Sequence, residues 1–185
     1  NKATENCFSI IKPKIFKFYP INVKEGIFKI GSNNNNFSYD NEKPVNAIKL
    51  ESFQIDKKPI HINEWFGFIK EGGYKNKKFW SKYGWEWKYK NRISAPLGWV
   101  LYKNNLSIST PYGFKKANKN SPVSNISYYE LEAFAKWVNL DIPHELQWEV
   151  SHHKLINKFN VWEWCNNKFY PYKGCLLYTS DAADE

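Results

Sequence analysis

The sequence predicts an α+β domain in which much of the backbone is irregular. Three observations predict it. Apolar residues recur at helical spacing in residues 62–69 and from 127 onward. Short alternating runs next to glycine or polar turns fall at 21–31 and 45–55. Residues 75–126 show neither period, yet carry Trp80, Trp85, Trp87 and Trp99. A period near 3.6 marks an amphipathic helix, and a period of two a half-buried strand.

In chain order, residues 1–20 place Cys7, Phe8, Ile10, Ile11, Ile15, Phe16 and Phe18 between lysines. They read as an opening strand or as the remnant of a linker to an upstream domain, with Cys7 as packing. Ile21, Val23, Ile27 and Ile30, beside Gly26 and Gly31, read as a strand with turns. Residues 33–36 are a polar loop. Val45, Ile48, Leu50, Phe53 and Ile55 suit a second strand pair.

Ile62, Trp65, Phe66 and Ile69 fall at i, i+3, i+4 and i+7, one face of a helix. Gly72-Gly73 ends it, because glycine accepts the left-handed conformation found at helix C-termini. A second helix starts at Ser127, whose spacing from Glu130 makes a capping box in which each side chain satisfies a free backbone N–H of the first turn. Leu131, Phe134, Ala135 and Val138 are its predicted buried stripe. A short third helix covers residues 145–152. The segment 75–126 is expected to be long loops, ordered because its aromatics give it something to bury.

The chain has 185 residues, with 27 basic and 18 acidic side chains. It begins at Asn1 and contains no Met, which predicts a natural start further upstream. Residues 175–185, reading Cys-Leu-Leu-Tyr-Thr-Ser-Asp-Ala-Ala-Asp-Glu, resemble an in-frame translation of a sequencing adapter. They are expected to be a non-native tail and stand apart from fold reasoning. Setting aside Asp181, Asp184 and Glu185 leaves 15 acids against 27 basic residues, a net charge of +12 over residues 1–174. The lysines are scattered rather than blocked, so no nucleic-acid partner is predicted. No run approaches the ~20 apolar residues that span a bilayer. Cys7 and Cys165 are too few for a disulfide scaffold, so a reducing cytoplasm is expected.

A set of short motifs follows in fixed order: Asp40-Asn41-Glu42-Lys43-Pro44, Gly72-Gly73-Tyr74, Trp80-Ser81, Gly84-Trp85-Glu86-Trp87, Ser127-Tyr128-Tyr129-Glu130, residues 143–149 (Pro-His-Glu-Leu-Gln-Trp-Glu) and Val161-Trp162-Glu163-Trp164. Together they resemble the formylglycine-generating-enzyme (sulfatase-modifying factor) family. Within it they are most similar to the C-terminal domain of the ergothioneine-type sulfoxide synthases. The resemblance covers roughly residues 20–174. It implies a C-type-lectin-like fold, loop-rich, with two packed helices and a small twisted sheet, here C-terminally truncated: a linker or upstream remnant over 1–20 and an incomplete domain over 21–174.

The resemblance also implies a function. Such synthases use oxygen and non-haem iron(II) to join a thiol to trimethylhistidine as a sulfoxide. Most iron ligands come from an upstream helical bundle with a His-x-x-x-His-x-Glu-type motif, and none is expected in this chain. Later family segments, an Arg-Gly-Gly-Ser strand and an Arg-Asn stretch, hold most substrate contacts and are absent here. This chain alone is therefore expected to be inactive and prone to aggregation. His61 and His144 replace the family's threonines at two helix starts. Histidine caps poorly compared with Thr, a loss of ~1 kcal/mol each.

No catalytic or metal-binding residue is predicted. His152-His153 are neighbours in sequence, and adjacent helical residues do not face each other; a surface pair is favoured. Cys165 would need a base or a lowered pKa to act as a nucleophile, and a structural thiol is favoured. Glu145 and Glu149 at i, i+4, with Glu163, could split their pKa values for acid–base work. The favoured reading is that Glu145 caps its helix while Glu149 and Glu163 bind backbone. Trp85, Trp87, Trp162, Trp164 and Tyr170 are the substrate-binding candidates, since aromatic faces attract a trimethylammonium group. The same tryptophans could instead form the core around the loops. Rival functions are a formylglycine-generating-type oxidase and a non-catalytic lectin-like binding module.

Overall fold

The computed structural model describes residues 16–33, 37–102, 105–156 and 161–175. The elements are strands β1 (Pro20–Val23), β2 (Gly26–Ile30), β3 (Asn46–Leu50) and β4 (Phe53–Asp56), helices α1 (Ile62–Lys70) and α2 (Lys82–Lys90), strands β5 (Trp99–Tyr102), β6 (Asn105–Thr110) and β7 (Gly113–Lys116), then helices α3 (Tyr128–Val138) and α4 (Glu145–Ser151). They form two compact units. One comprises Ile60–Asp141 with Phe16 and Lys17; the other comprises Phe18–Pro59 and, from Ile142 on, the described residues to Cys175. Cys7 and the apolar residues around it lie outside the described residues, as does the tail after Cys175.

In the first unit, α1 begins at His61, whose backbone N–H donates to the Glu64 carboxylate at 2.8 Å. The helix ends as expected: Gly72 is left-handed, at φ 78°, and its N–H returns to the Ile69 carbonyl. Gly73 must be glycine for another reason, since a Cβ there would sit 2.0 Å from the Phe68 ring. The α3 capping box also forms, with Ser127 Oγ accepting the Glu130 N–H at 3.3 Å and Glu130 accepting the Ser127 N–H at 2.8 Å. The core between the helices is aromatic. Trp65 stacks on Phe134 with centroids 4.7 Å apart, and Phe68 meets both edge-on. Phe16 closes on Phe134 from another side.

Two expectations need correction here. The buried stripe of α3 is Ala133, Phe134, Trp137 and Val138; Leu131 and Ala135 are only half-buried. The helix is rotated so that the Trp137 ring lies against Phe68 and Phe134 and its Nε1 donates to Glu71. Residues 75–126 are irregular over about half their length, but not throughout. They hold α2 and an antiparallel three-stranded sheet, β5-β6-β7. Helix α2 hides its period because its inward face is only Gly84, Trp85 and Trp87 among lysines, and glycine lowers helix propensity. Gly84 is tight: a Cβ would lie 3.2 Å from Tyr129 Cβ. Strand β7 is exposed throughout, so it carries no alternation to read.

The second unit contains two antiparallel ribbons. β1 pairs with β4, setting Ile21 opposite Ile55, and β2 pairs with β3, setting Phe28 opposite Ile48. The sequence placed strand structure over 21–31 and 45–55; that the first stretch divides into β1 and β2, and the nested pairing of the four strands, are tertiary facts. Among the described residues, no helix is long and apolar enough to cross a membrane.

Candidate functional site

The site grows from α4, a helix of only seven residues. His144 stands at its N-cap. His144 Nδ1 accepts the Leu146 N–H at 3.2 Å, and Gln147 Oε1 accepts the His144 N–H at 2.9 Å. The imidazole thus does a threonine's work, with its ring proton on Nε2. Glu145 is not the cap; it is an acid in the first turn, where it complements the helix dipole.

The segment 161–175 has almost no regular structure of its own, so its backbone must be satisfied elsewhere. Helix α4 and the residue before its cap supply partners. The Asn166 N–H donates to the Pro143 carbonyl at 3.0 Å. The Glu145 N–H donates to Asn167 Oδ1 at 2.9 Å. Trp148 Nε1 donates to Glu163 Oε1 at 3.0 Å. At the far end the Tyr172 hydroxyl donates to Glu149 Oε2 in a short contact. Glu149 Oε1 also accepts the Gly31 N–H at 2.6 Å, so Glu149 binds backbone as the sequence suggested. Glu163 binds an indole instead.

Loss of water shapes the ionisations. Burial pushes the Tyr172 hydroxyl up, and the adjacent Glu149 carboxylate adds to it. Partial desolvation raises Glu163, opposed by the hydrogen bond from Trp148. The residue as a whole is exposed, so water screens much of this effect. Burial, then the Glu145 and Glu163 charges, push the Cys165 thiol up to about 11. A thiol so protonated is no nucleophile at neutral pH, which supports its structural reading. Cys165 is not in a disulfide.

Of the aromatic candidates, Trp162, Trp164 and Tyr170 share this segment. Trp162 is fully exposed, Trp164 is 50% exposed and Tyr170 64% exposed, with Phe169 beside them at 60%. Trp85 and Trp87 lie in the other unit, on the inward side of α2. Trp85 meets Trp80 edge-on, and the Lys88 ammonium sits 4.8 Å above its ring. Trp87 tilts against Tyr129. Both pack on the core of the first unit.

His152 and His153 lie on a 3-10 turn after α4, with ring centroids 6.0 Å apart at 84°. His152 Nδ1 bonds the Glu149 carbonyl at 2.8 Å and its ring stacks on Trp148, while His153 is exposed. Among the described residues, no group of three His, Cys, Asp or Glu side chains is placed to hold a metal ion. Sequence reasoning missed Gly31, Asn167 and Tyr172. No local pattern could pair Gly31 with Glu149, 118 positions away.

Known proteins similar to this chain include hercynine oxygenases and formylglycine-generating enzymes. Hercynine oxygenase of Mycobacterium tuberculosis is 33% identical over 113 residues, covering 60% of this chain and 26% of that protein. Its counterpart in Mycolicibacterium thermoresistibile is 32% identical over 114 residues, covering 61% of this chain and 25% of that protein. Formylglycine-generating enzyme of Thermomonospora curvata is 24% identical over 140 residues, covering 68% and 46%. The chain therefore spans about a quarter of the length of the hercynine oxygenases it matches. The family described as sulfatase-modifying factor enzyme 1-like domain matches residues 19–154, from the start of β1 to the turn after α4. Motif order, fold and these matches agree: the chain belongs to the sulfatase-modifying factor enzyme 1-like domain family.

Proposed function

We propose that this chain is part of a hercynine-oxygenase-type enzyme, an ergothioneine-type sulfoxide synthase that joins a thiol to trimethylhistidine. In this reading residues 21–174 are an incomplete domain of C-type-lectin-like fold that contributes to the substrate pocket. The observation that carries it is the higher identity to hercynine oxygenases, 33% over 113 residues, than to a formylglycine-generating enzyme, 24% over 140.

The exposed aromatic segment supports it. Hercynine carries a quaternary ammonium that donates no N–H hydrogen bond and keeps its charge at every pH. Aromatic faces and nearby carboxylates suit such a group. Trp162 and Trp164 flank Glu163 in sequence, Tyr170 follows seven residues on, and all three are open to solvent. Trp85 holds an ammonium of the chain's own, Lys88, in that manner.

Iron(II) is the cofactor the resemblance implies. The described residues do not gather a ligand set for it, so no step through iron is assigned to them. What they can do is bind and orient a cationic substrate and exclude water from its aromatic face.

Titration of trimethylhistidine against the intrinsic tryptophan fluorescence of the chain tests the reading. Saturable binding at least tenfold tighter than that of unmethylated histidine is expected, weakened by Trp164→Ala and Tyr170→Ala. Equal response to both ligands overturns it. The greater share of the chain matched by the formylglycine-generating enzyme, 68%, favours the alternative of a thiol-oxidising relative. Conversion of a cysteine-containing peptide, with no response to trimethylhistidine, would establish that alternative.

A further inference from the structure

The aromatic side chains between Glu163 and Tyr172 sit on a segment that cannot hold its own shape. It is tied at one end by Glu163, Asn166 and Asn167 to α4 and Pro143. At the other end, the side-chain tie to α4 is Tyr172 to Glu149. Between the ties, Phe169 and Tyr170 stand in solvent. We propose that Glu149 is a positioning residue: by accepting the Tyr172 hydroxyl and the Gly31 N–H together, it sets the conformation in which the end of this segment presents Tyr170 to a ligand. This rests on the aromatic reading given above for the ligand's identity, but not for the latch itself.

The geometry around the latch leaves little alternative room. Gly31 is left-handed at φ 80°, and a Cβ on it would lie 2.8 Å from the Glu42 carbonyl, 2.9 Å from that of Pro44 and 3.2 Å from the Tyr172 ring. The ring is therefore seated directly on the Gly31 backbone while its hydroxyl reaches the carboxylate. Asn46 Nδ2 donates to the Pro44 carbonyl at 2.9 Å and the Lys173 carbonyl at 3.3 Å, holding the residue after Tyr172 to the same strip of chain. A Cβ on Gly174 would meet the Pro44 ring at 3.5 Å. One carboxylate thus joins the turn after β2, the last turn of α4 and the end of the aromatic segment. A carboxylate accepting two donors from different parts of the chain is a strong and directional tie, because charged hydrogen bonds exceed neutral ones.

Hydrogen exchange and ligand titration on the full chain test this together. The variants are Glu149→Ala, Glu149→Gln and Tyr172→Phe, the last removing one oxygen and keeping the ring on Gly31. In Glu149→Ala the amides of Gly31 and Cys175, which donate to the Glu149 carboxylate and to the Tyr172 carbonyl, are expected to exchange at least tenfold faster, and in Tyr172→Phe that of Cys175, while those of α3 stay as in the wild type. Trimethylhistidine affinity is expected to fall about tenfold, equivalent to ~1.4 kcal/mol. Glu149→Gln keeps an oxygen for Gly31 and an amide that the Tyr172 oxygen can accept, so it should restore most of both. Wild-type exchange of the Gly31 and Cys175 amides in Glu149→Ala overturns the latch. Faster exchange with unchanged affinity overturns the positioning role. A wild-type chain that ignores trimethylhistidine overturns the proposed substrate instead, and the exchange result still decides the latch.

Discussion

Replacing Tyr74 by Phe should expose how much one hydroxyl holds the first unit together. The Tyr74 hydroxyl donates to Glu130 Oε1 at 2.6 Å and accepts from Trp65 Nε1 at 3.2 Å. All three residues are buried, at 3%, 3% and 0% exposure. The substitution keeps the ring contacts with Phe68 and Trp80 and removes only the oxygen. A hydrogen bond to a charged group is worth ~1.5–3 kcal/mol, and a buried donor left unpaired costs ~1–3 kcal/mol. Glu130 Oε2 keeps the Ser127 N–H and hydroxyl, so the carboxylate is not stranded. The two losses share one oxygen and do not add fully, which gives about 3–4 kcal/mol. With a slope of about 2 kcal/mol per molar urea, the unfolding midpoint should drop by ~1.5–2 M. A loss under ~1 kcal/mol, in urea unfolding followed by circular dichroism, would refute the reasoning.

The same hydroxyl fixes a pH dependence. Burial, and then the Glu130 charge, raise the Tyr74 pKa above its ordinary value of 10.0. Below pH ~10 both folded and unfolded chains hold the proton, and the contribution is complete. Above it the unfolded chain sheds the proton while the folded chain keeps it. Stability therefore falls as pH rises, by ~1.4 kcal/mol per unit, until the folded pKa is passed. Tyr74→Phe should remove that slope. Tyr172 is raised in the same direction but is only half-buried, so screening leaves it a smaller share. An alkaline stability profile identical in wild type and Tyr74→Phe would contradict the assignment.

Gly31→Ala should cost about 2–4 kcal/mol, from a left-handed alanine and close contact with two carbonyl oxygens; a wild-type melting midpoint would show that the β2 turn is not as drawn. Cys165, with its thiol pushed up to about 11, should react with iodoacetamide a few hundred-fold more slowly at pH 7.5 than an ordinary cysteine of pKa ~8.5. In a Cys7→Ser, Cys175→Ser background its rate should keep rising tenfold per pH unit past pH 9, and a plateau near 8.5 would mean that the thiol is solvated. Gly73→Ala forces a methyl to 2.0 Å from the Phe68 ring and should lower stability by ~2–3 kcal/mol, read as a shift of the urea midpoint.

Local signals carried as far as local physics reaches. Ser127 with Glu130, Gly72 after an apolar face, and the alternations around Val23 and Ile55 each depend on residues within a few positions, and each element stands where its pattern put it. The order of motifs was likewise enough to reach the family, because no tertiary contact is needed to read an order. Helix α2 escaped because a helix packing only through Gly84, Trp85 and Trp87 writes no continuous apolar stripe. Strand β7 escaped because a strand with every side chain exposed has no face to mark. The histidine at position 144 looked like a lost cap, and only the placement of Nδ1 over the Leu146 N–H makes it one. The meeting of Gly31, Glu149 and Tyr172 was decided wholly by tertiary structure: each is an ordinary residue in its own neighbourhood, and their partnership exists because an irregular segment must find its hydrogen bonds on distant chain.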